Sequence, residues 1–286
     1  MVYSRIMKGW IALDIDGTIT LDKYSVPGEV VSFLRKLHGE GWNLVLATGR
    51  PFTFASMTLK KFDFPYTLLC QNGSVALEMP HKKLIFTSYI PTSAICFMEK
   101  AYEGMDSDFL IYAGYEHGDF CFWRPKRFTT EETEYLIDLQ TRQNEKWQAV
   151  EHFDDLFLDA FPLIKCFGHE SRMGKIAARL KESKRFEVAN IRDPFVEGIR
   201  ILLVTDIHTS KGKSLSKVLE SKGRGGHVIA AGDDENDISL LSVADTKIAM
   251  HHSPESLIQI ATFIAPPTQE NGIIQALQLA LRKNGN

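Results

Sequence analysis

The stretch Trp10-Ile-Ala-Leu-Asp14-Ile-Asp16-Gly-Thr18 decides how this chain is read. An apolar run leads into two carboxylates two residues apart, and a glycine lets the chain turn at once. Residues i and i+2 of a strand share a face, so Asp14 and Asp16 project together beyond the strand end. Unpaired buried carboxylates are strongly disfavoured, so the pair asks for a cation, a proton or solvent. A second acidic cluster, Gly232-Asp-Asp-Glu-Asn-Asp237, follows the apolar run His227-Val-Ile-Ala-Ala231. Two acid-tipped strands far apart in sequence predict one site built from both. Its oxygen ligands suit Mg²⁺, with a carboxylate to spare for chemistry.

Working outward, apolar strands alternate with amphipathic helices. Ile11–Ile15 reads as a strand, and Pro27 to Glu40 as a helix carrying Val30, Val31, Leu34 and Leu37 at helical spacing. Strand Asn43–Ala47 ends in Thr48-Gly49-Arg50-Pro51. A helix over Phe52–Phe62 and a strand over Tyr66–Cys70 lead to the turn Gln71-Asn72-Gly73. The alternation resumes with helix Lys213–Ser221, strand Val228–Ala231, helix Asp237–Val243 and strand Lys247–Met250. Helix Ser253–Ala261, strand Phe263–Ala265 and helix Gly272–Arg282 close the chain. This predicts an α/β fold with a doubly wound parallel sheet.

Between Met79 and Thr205 strands come as adjacent pairs: Phe109–Tyr115 with Phe120–Arg124, and Phe186–Arg192 with Glu197–Val204. Helices are expected at Thr92–Glu103, Thr129–Lys146 and Ser171–Glu182. Such a pattern predicts an inserted, antiparallel α+β domain over 79–205, with 1–78 and 206–286 forming the core.

Composition narrows the function classes. The 286 residues are 44% hydrophobic and 24% charged, with a net charge of −3. No basic field favours nucleic acid, and Lys181, Lys184 and Arg185 read as a solvated helix end. Cys70, Cys96, Cys121 and Cys166 lie scattered among apolar or aromatic neighbours without a CxxC pair. They are expected as buried thiols in a reducing compartment, with no disulfide framework or zinc site. No stretch approaches the ~18 apolar residues of a membrane span, and no signal-peptide pattern precedes the first strand. A soluble, cytoplasmic protein without nucleic-acid or membrane partners is expected.

Ligands of a doubly wound sheet bind beyond the carboxyl ends of the strands, where Asp14/Asp16, Thr48/Gly49, Asn72/Gly73 and Asp233/Asp237 all fall. Asp14 and Asp233 can supply metal carboxylates, with Asp237 binding directly or through water. Thr48 offers a hydroxyl and Gly49 an amide to an anion at a helix start. Lys211, preceding a helix, can neutralise remaining phosphate charge. That set describes a phosphoryl-transfer site: Asp14 as nucleophile, Asp16 as acid toward the leaving oxygen and then base toward water. Taken singly, an Asp-x-Asp-Gly is a turn, Thr48 an N-cap, Lys211 a solvated lysine and Asn72-Gly73 a tight turn. Their convergence carries the reading. Gly212-Lys213-Ser214 imitates a P-loop, but Ile207 stands where its first glycine belongs, and His251-His252 reads as a surface turn.

Together these motifs resemble the haloacid dehalogenase (HAD) superfamily of aspartate-nucleophile phosphatases. The resemblance covers Asp14-Ile-Asp16-Gly-Thr18, Thr48-Gly49-Arg50, Lys211-Gly212 and Gly232-Asp233-Asp234-Glu235-Asn236-Asp237, in that order. It implies a Rossmann-like HAD core with Asp14 as nucleophile and Mg²⁺ ligand, and Asp16 as acid/base with its backbone carbonyl on the metal. Asp233 and Asp237 would complete the metal site. Thr48, Gly49, Lys211 and Asn236 would hold phosphate, with Arg50 and Asn72 toward the substrate. The insertion's place and paired strands resemble the C2B cap of the Cof-type sugar phosphatases, implying a small phosphorylated metabolite, a sugar phosphate, as substrate. The cap's Tyr112, Tyr115, Trp123, Arg124 and Lys126 suit a sugar ring or a second anionic group. Two stretches depart from the pattern: His251-His252 replaces Gly-Asn, and Pro266-Pro267-Thr-Gln-Glu-Asn271 replaces an Asp-Gly approach to the last helix. A hexose phosphomutase of the same superfamily is the alternative enzyme, and a receiver-type phospho-signalling module the alternative from another class.

Overall fold

The computed structural model describes residues 7–22, 24–193 and 196–283. The first half of the core contains β1 (Gly9–Asp14), α1 (Gly28–Gly39), β2 (Trp42–Ala47), α2 (Phe52–Thr58), β3 (Tyr66–Cys70), β4 (Val75–Met79) and β5 (Lys83–Thr87). The middle of the chain contains β6 (Ile90–Pro91), α3 (Ile95–Ala101), β7 (Leu110–Tyr112), β8 (Phe120–Trp123), α4 (Thr130–Gln143) and β9 (Lys146–Ala149). It continues through β10 (Ala160–Phe161), β11 (Leu163–His169), α5 (Glu170–Glu182), β12 (Phe186–Arg192) and β13 (Ile199–Asp206). The last part supplies α6 (Lys211–Lys222), β14 (His227–Gly232), α7 (Ile238–Val243), β15 (Thr246–Met250), α8 (Glu255–Ile258), β16 (Phe263–Ala265) and α9 (Gly272–Lys283).

The chain divides into two compact units. One comprises Met1–Thr48, Ser56–Phe86 and Ser210–Asn286; the other comprises Gly49–Ala55 and Thr87–Thr209. In the first, eight strands form one sheet in the order β16-β15-β14-β1-β2-β3-β4-β5. Pairing is parallel from β16 to β3, and β4 runs antiparallel to β3. The fold is thus an α/β doubly wound sheet, as the alternation predicts. Every residue of β1 is buried, because helices cover both faces of a parallel sheet. Helix α1 turns Val30, Val31, Leu34 and Leu37 inward, with Glu29 in its first turn and Lys36 in its last, each complementing the helix dipole. With β1 between β14 and β2, the carboxyl ends that carry Asp14, Asp233 and Thr48 are adjacent.

The second unit holds a six-stranded sheet, β12-β13-β11-β7-β8-β9. One face packs on α3 and α5 through Met98, Met173, Ile176 and Leu180. The other packs on α4 through Leu136, with Tyr112, Leu163, Phe167 and Leu203 from the sheet. Both expected hairpin pairs are present and antiparallel. The layer is not wholly antiparallel, however. Strands β8 and β9 run parallel, with α4 as the crossover that a parallel pair needs. The central strand β11 escaped the sequence reading because Lys165 and Gly168 interrupt its apolar run. It alternates nonetheless: Ile164 and Cys166 join one core, Leu163 and Phe167 the other.

Some helices are shorter than their apolar spacing predicts. Helix α2 stops at Thr58, where an i→i+3 turn from the Phe62 N–H to the Leu59 carbonyl buries both residues. Helix α8 covers only Glu255–Ile258. Cys70, Cys121 and Cys166 are buried as expected, but Cys96 is exposed, its thiol directed to the Ser93 carbonyl. No helix among the described residues is long and apolar enough to cross a membrane.

Candidate active site

Asp14 is the last residue of β1 and pairs in register with Ala47 at the end of β2. The chain then turns through Ile15–Thr20, tied by the Ile19 and Thr20 N–H groups and the Thr20 hydroxyl to the Ile15 carbonyl. Gly17 sits in this turn at φ +72°, and a Cβ there would lie 2.3 Å from Asp233 Oδ2. Only glycine allows both that backbone and so close an approach of the second acidic cluster.

Lys211 enters from α6. The Ser210 hydroxyl accepts the Lys213 N–H and caps the helix, which places Lys211 at its first position. The side chain is 1% exposed, and Nζ donates to Asp14 Oδ1 at 2.5 Å and Asp237 Oδ1 at 2.7 Å. Asp237 Oδ2 in turn accepts the N–H groups of Asp233 at 3.0 Å and Asp234 at 3.3 Å. Both oxygens of Asp237 are therefore engaged in holding the site, whereas buried Asp14 Oδ2 has no hydrogen-bond partner. One carboxylate oxygen each of Asp14, Asp233 and Asp237 lies within 4.8 Å of the others.

The electrostatics are those of too many acids in too little water. Burial, then the charges of Asp237, Asp233 and Asp16, push the Asp14 carboxyl well above its ordinary range, against the pull of Lys211. Burial, with Asp237 and Asp234 adding to it, also pushes Asp233 up to about 6, against a hydrogen bond from His252. Burial alone would lower the Lys211 ammonium, but Asp14 and Asp237 outweigh it and hold it above the ordinary lysine value. One ammonium among three clustered carboxylates leaves negative charge uncompensated. An orphaned carboxylate oxygen beside hard oxygen donors suits a divalent cation that keeps some of its waters. The residues present fit such an ion.

The remaining candidates fall into two groups. Thr48 is buried; its carbonyl accepts the Asn72 N–H at 2.9 Å, and Asn72 Oδ1 lies 3.4 Å from Asn236 Nδ2. Thr48, Asn72 and Asn236 thus form a linked set at the same strand ends. Asp16 is half-buried and bridges Thr20 within the turn. Gly49 and Arg50 belong to the second unit, where the Arg50 guanidinium stacks 3.9 Å from the Phe54 ring centroid.

Residues 11–277 match the family described as haloacid dehalogenase-like hydrolase. The chain belongs to that family. A phosphoglycolate phosphatase from Archaeoglobus fulgidus is 27% identical over 277 residues, covering 94% of this chain and 95% of that protein. Two solved structures share the fold at 19% identity. SMU.1108c from Streptococcus mutans has a TM-score of 0.79, covering 96% of this chain and 99% of its own. The HAD subclass IIB sugar phosphatase BT4131 has a TM-score of 0.74, covering 95% and 98%. The resemblance to the HAD superfamily is borne out.

The structure of this HAD hydrolase adds two residues beside the site, His252 and Thr268. His252 is exposed, yet its Nε2 lies 3.0 Å from Asp233 Oδ2, so the His251-His252 turn touches the acidic cluster. The Thr268 hydroxyl donates to the Gly17 carbonyl at 2.8 Å. Both residues come from the two stretches that depart from the family pattern, which is the signal that pointed to them. Three of the cap residues offered for substrate are committed elsewhere: Tyr112 is buried, its hydroxyl donating to Glu145 and accepting from Lys165. Arg124 is buried in a bidentate pair with Asp108 at 2.6 and 2.7 Å, with Glu99 beside it. Lys126 is exposed and paired with Glu151.

Proposed function

We propose that this phosphatase of the HAD family hydrolyses a small phosphorylated metabolite, a sugar phosphate, in a Mg²⁺-dependent reaction through a phosphoryl group carried on Asp14. The observation that carries the reading is the buried constellation of Asp14, Asp233 and Asp237, with the Lys211 ammonium bonded to two of them. The name of the Archaeoglobus relative, a phosphoglycolate phosphatase, supports a small substrate.

In this reading residues 1–78 and 206–286 form the catalytic core, and 79–205 the cap that selects the leaving group. Lys211 holds and orients the Asp14 carboxylate, which attacks phosphorus and expels the leaving oxygen. Asp16 protonates that oxygen, then takes a proton from the water that cleaves the acyl phosphate and regenerates the carboxylate. Thr48 and Gly49 donate to the phosphoryl oxygens, with Lys211 and Asn236 beside them, while Arg50 and Asn72 face the substrate. Asp14, Asp233, Asp237 and the Asp16 carbonyl would hold Mg²⁺. When bound, the ion neutralises charge on the phosphoryl oxygens and offsets repulsion among the acids.

Hydrolysis of p-nitrophenyl phosphate by wild-type protein and Asp14→Asn, each with Mg²⁺ and with excess chelator, tests the proposal. Turnover is expected only in wild type with the metal. Comparable rates in Asp14→Asn, or full activity in chelator, would overturn it.

A further inference from the structure

Each acid of the buried cluster is gripped by a nitrogen donor from another element of the same unit. Lys211, at the start of α6, binds Asp14 Oδ1 and Asp237 Oδ1. Asp237 Oδ2 accepts the Asp233 N–H at 3.0 Å, which anchors the main chain of Asp233. The carboxylate itself turns about a broad, nearly two-fold torsion unless one of its oxygens is held. His252 supplies that grip, with Nε2 lying 3.0 Å from Asp233 Oδ2. An ionised carboxylate only accepts hydrogen bonds, so Nε2 carries the proton and donates.

The fold builds this contact. Strand β15 runs beside β14 with Ala249 opposite Gly232, so the turn after β15 emerges next to Asp233. The Ser253 N–H donates to the Met250 carbonyl at 3.0 Å and closes that turn around His251 and His252. Gly17 forms the third side. A Cβ there would lie 2.3 Å from Asp233 Oδ2 and 3.0 Å from His252 Nε2, so the hydrogen-bonded pair occupies the space that the glycine leaves. The Thr268 hydroxyl holds the Gly17 carbonyl in turn. The Asp233 side chain is only 16% exposed, which limits the competition from water for its oxygen. This separates the pair from an ordinary surface contact, which contributes little.

We infer that His252 is a positioning residue of the metal site, holding the Asp233 carboxylate in the orientation that binds a divalent ion. This inference rests on the hydrolase reading above and adds to it a residue outside the proposed ligand set. His252 acts through Asp233, so its effect belongs in metal affinity and is visible with no substrate present. A donor that orients a metal-binding carboxylate contributes about 10–100-fold to affinity. His251 shares the turn, is exposed, and serves as the control.

Binding of Mn²⁺ to metal-stripped protein, followed by loss of the free-ion electron paramagnetic resonance signal, tests this. His252→Ala and His252→Phe should raise the Kd by about tenfold or more. His252→Gln, which restores an N–H donor at similar reach, should stay within about threefold of wild type, as should His251→Ala. A merely structural role would lower the melting temperature of the metal-free protein and leave the Kd of the folded variants unchanged. A Kd within about threefold of wild type in folded His252→Ala or His252→Phe, short of what an orienting donor contributes, overturns the inference. So does a glutamine variant that binds as weakly as the alanine one. The broader reading fails separately, if wild type and Asp233→Asn bind Mn²⁺ alike.

Discussion

Replacing Lys211 by methionine removes the ammonium that joins the two halves of the acidic cluster while keeping most of its apolar bulk. The structure sets the size of the loss. Nζ lies 2.5 and 2.7 Å from two carboxylates, in side chains 1%, 4% and 0% exposed. Breaking such a buried arrangement by deleting one partner costs about 3–5 kcal/mol, because the remaining charges stay in a medium that cannot solvate them. The loss depends on pH, and its sign follows from Asp14. The folded state already holds that carboxyl well above its ordinary range, and without Lys211 it rises further. A group with a raised folded pKa binds more protons in the native state, so stability falls as pH rises through that interval. The deficit of Lys211→Met should therefore be largest near pH 8 and shrink as acid neutralises the carboxylates. Urea unfolding of both proteins in chelator, at pH 8 and pH 5, measures it. A deficit below ~1 kcal/mol at pH 8, outside the range expected for a broken buried ion pair, would refute the reasoning. So would an equal deficit at both pH values.

The same linkage makes a second expectation for Asp233, raised from 3.8 to about 6. Between those values metal-free protein should lose stability with rising pH, by at most about 3 kcal/mol from this group. Thermal melts should show that slope flattened in Asp233→Asn, and Mg²⁺ at a hundred times its Kd should restore about 2.7 kcal/mol to wild type. An unchanged slope in Asp233→Asn, or no stabilisation by Mg²⁺, would contradict the cluster's electrostatics. Ser210→Ala removes the hydroxyl that caps α6 and should cost about 1 kcal/mol in urea unfolding. A neutral substitution would mean that the cap does not hold the start of the Lys211 helix.

Much of this was legible in the chain because the relevant signals are local. Ile11 to Asp14 is continuously apolar and then acidic, which both buries a central parallel strand and ends it at a carboxylate. Val30, Val31, Leu34 and Leu37 mark one helix face by spacing alone. What the sequence could not convey depends on partners distant along the chain. Lys165 reads as a flaw in an apolar run, and only pairing with Leu203 and contact with Tyr112 turn it into a directed cation. Asp237 reads as a candidate metal ligand and nothing more, yet it also accepts from Lys211 and from two backbone amides, so it anchors the cluster as well. Arg124 suits a ligand by residue type but spends its guanidinium on Asp108 and Glu99, from the approach to β7 and from α3. His252 pairs with Asp233 from a turn that residue types alone place at the surface.

The central claim is that Asp14 becomes covalently phosphorylated during turnover. Quenching the protein with borohydride during steady-state hydrolysis of p-nitrophenyl phosphate reduces an aspartyl phosphate to homoserine, which peptide mass spectrometry locates. Homoserine is expected at position 14 in wild type with Mg²⁺ and substrate, and neither in Asp14→Asn nor without substrate. Reduction at a different residue, or none at position 14 in protein that is turning over, would contradict the account.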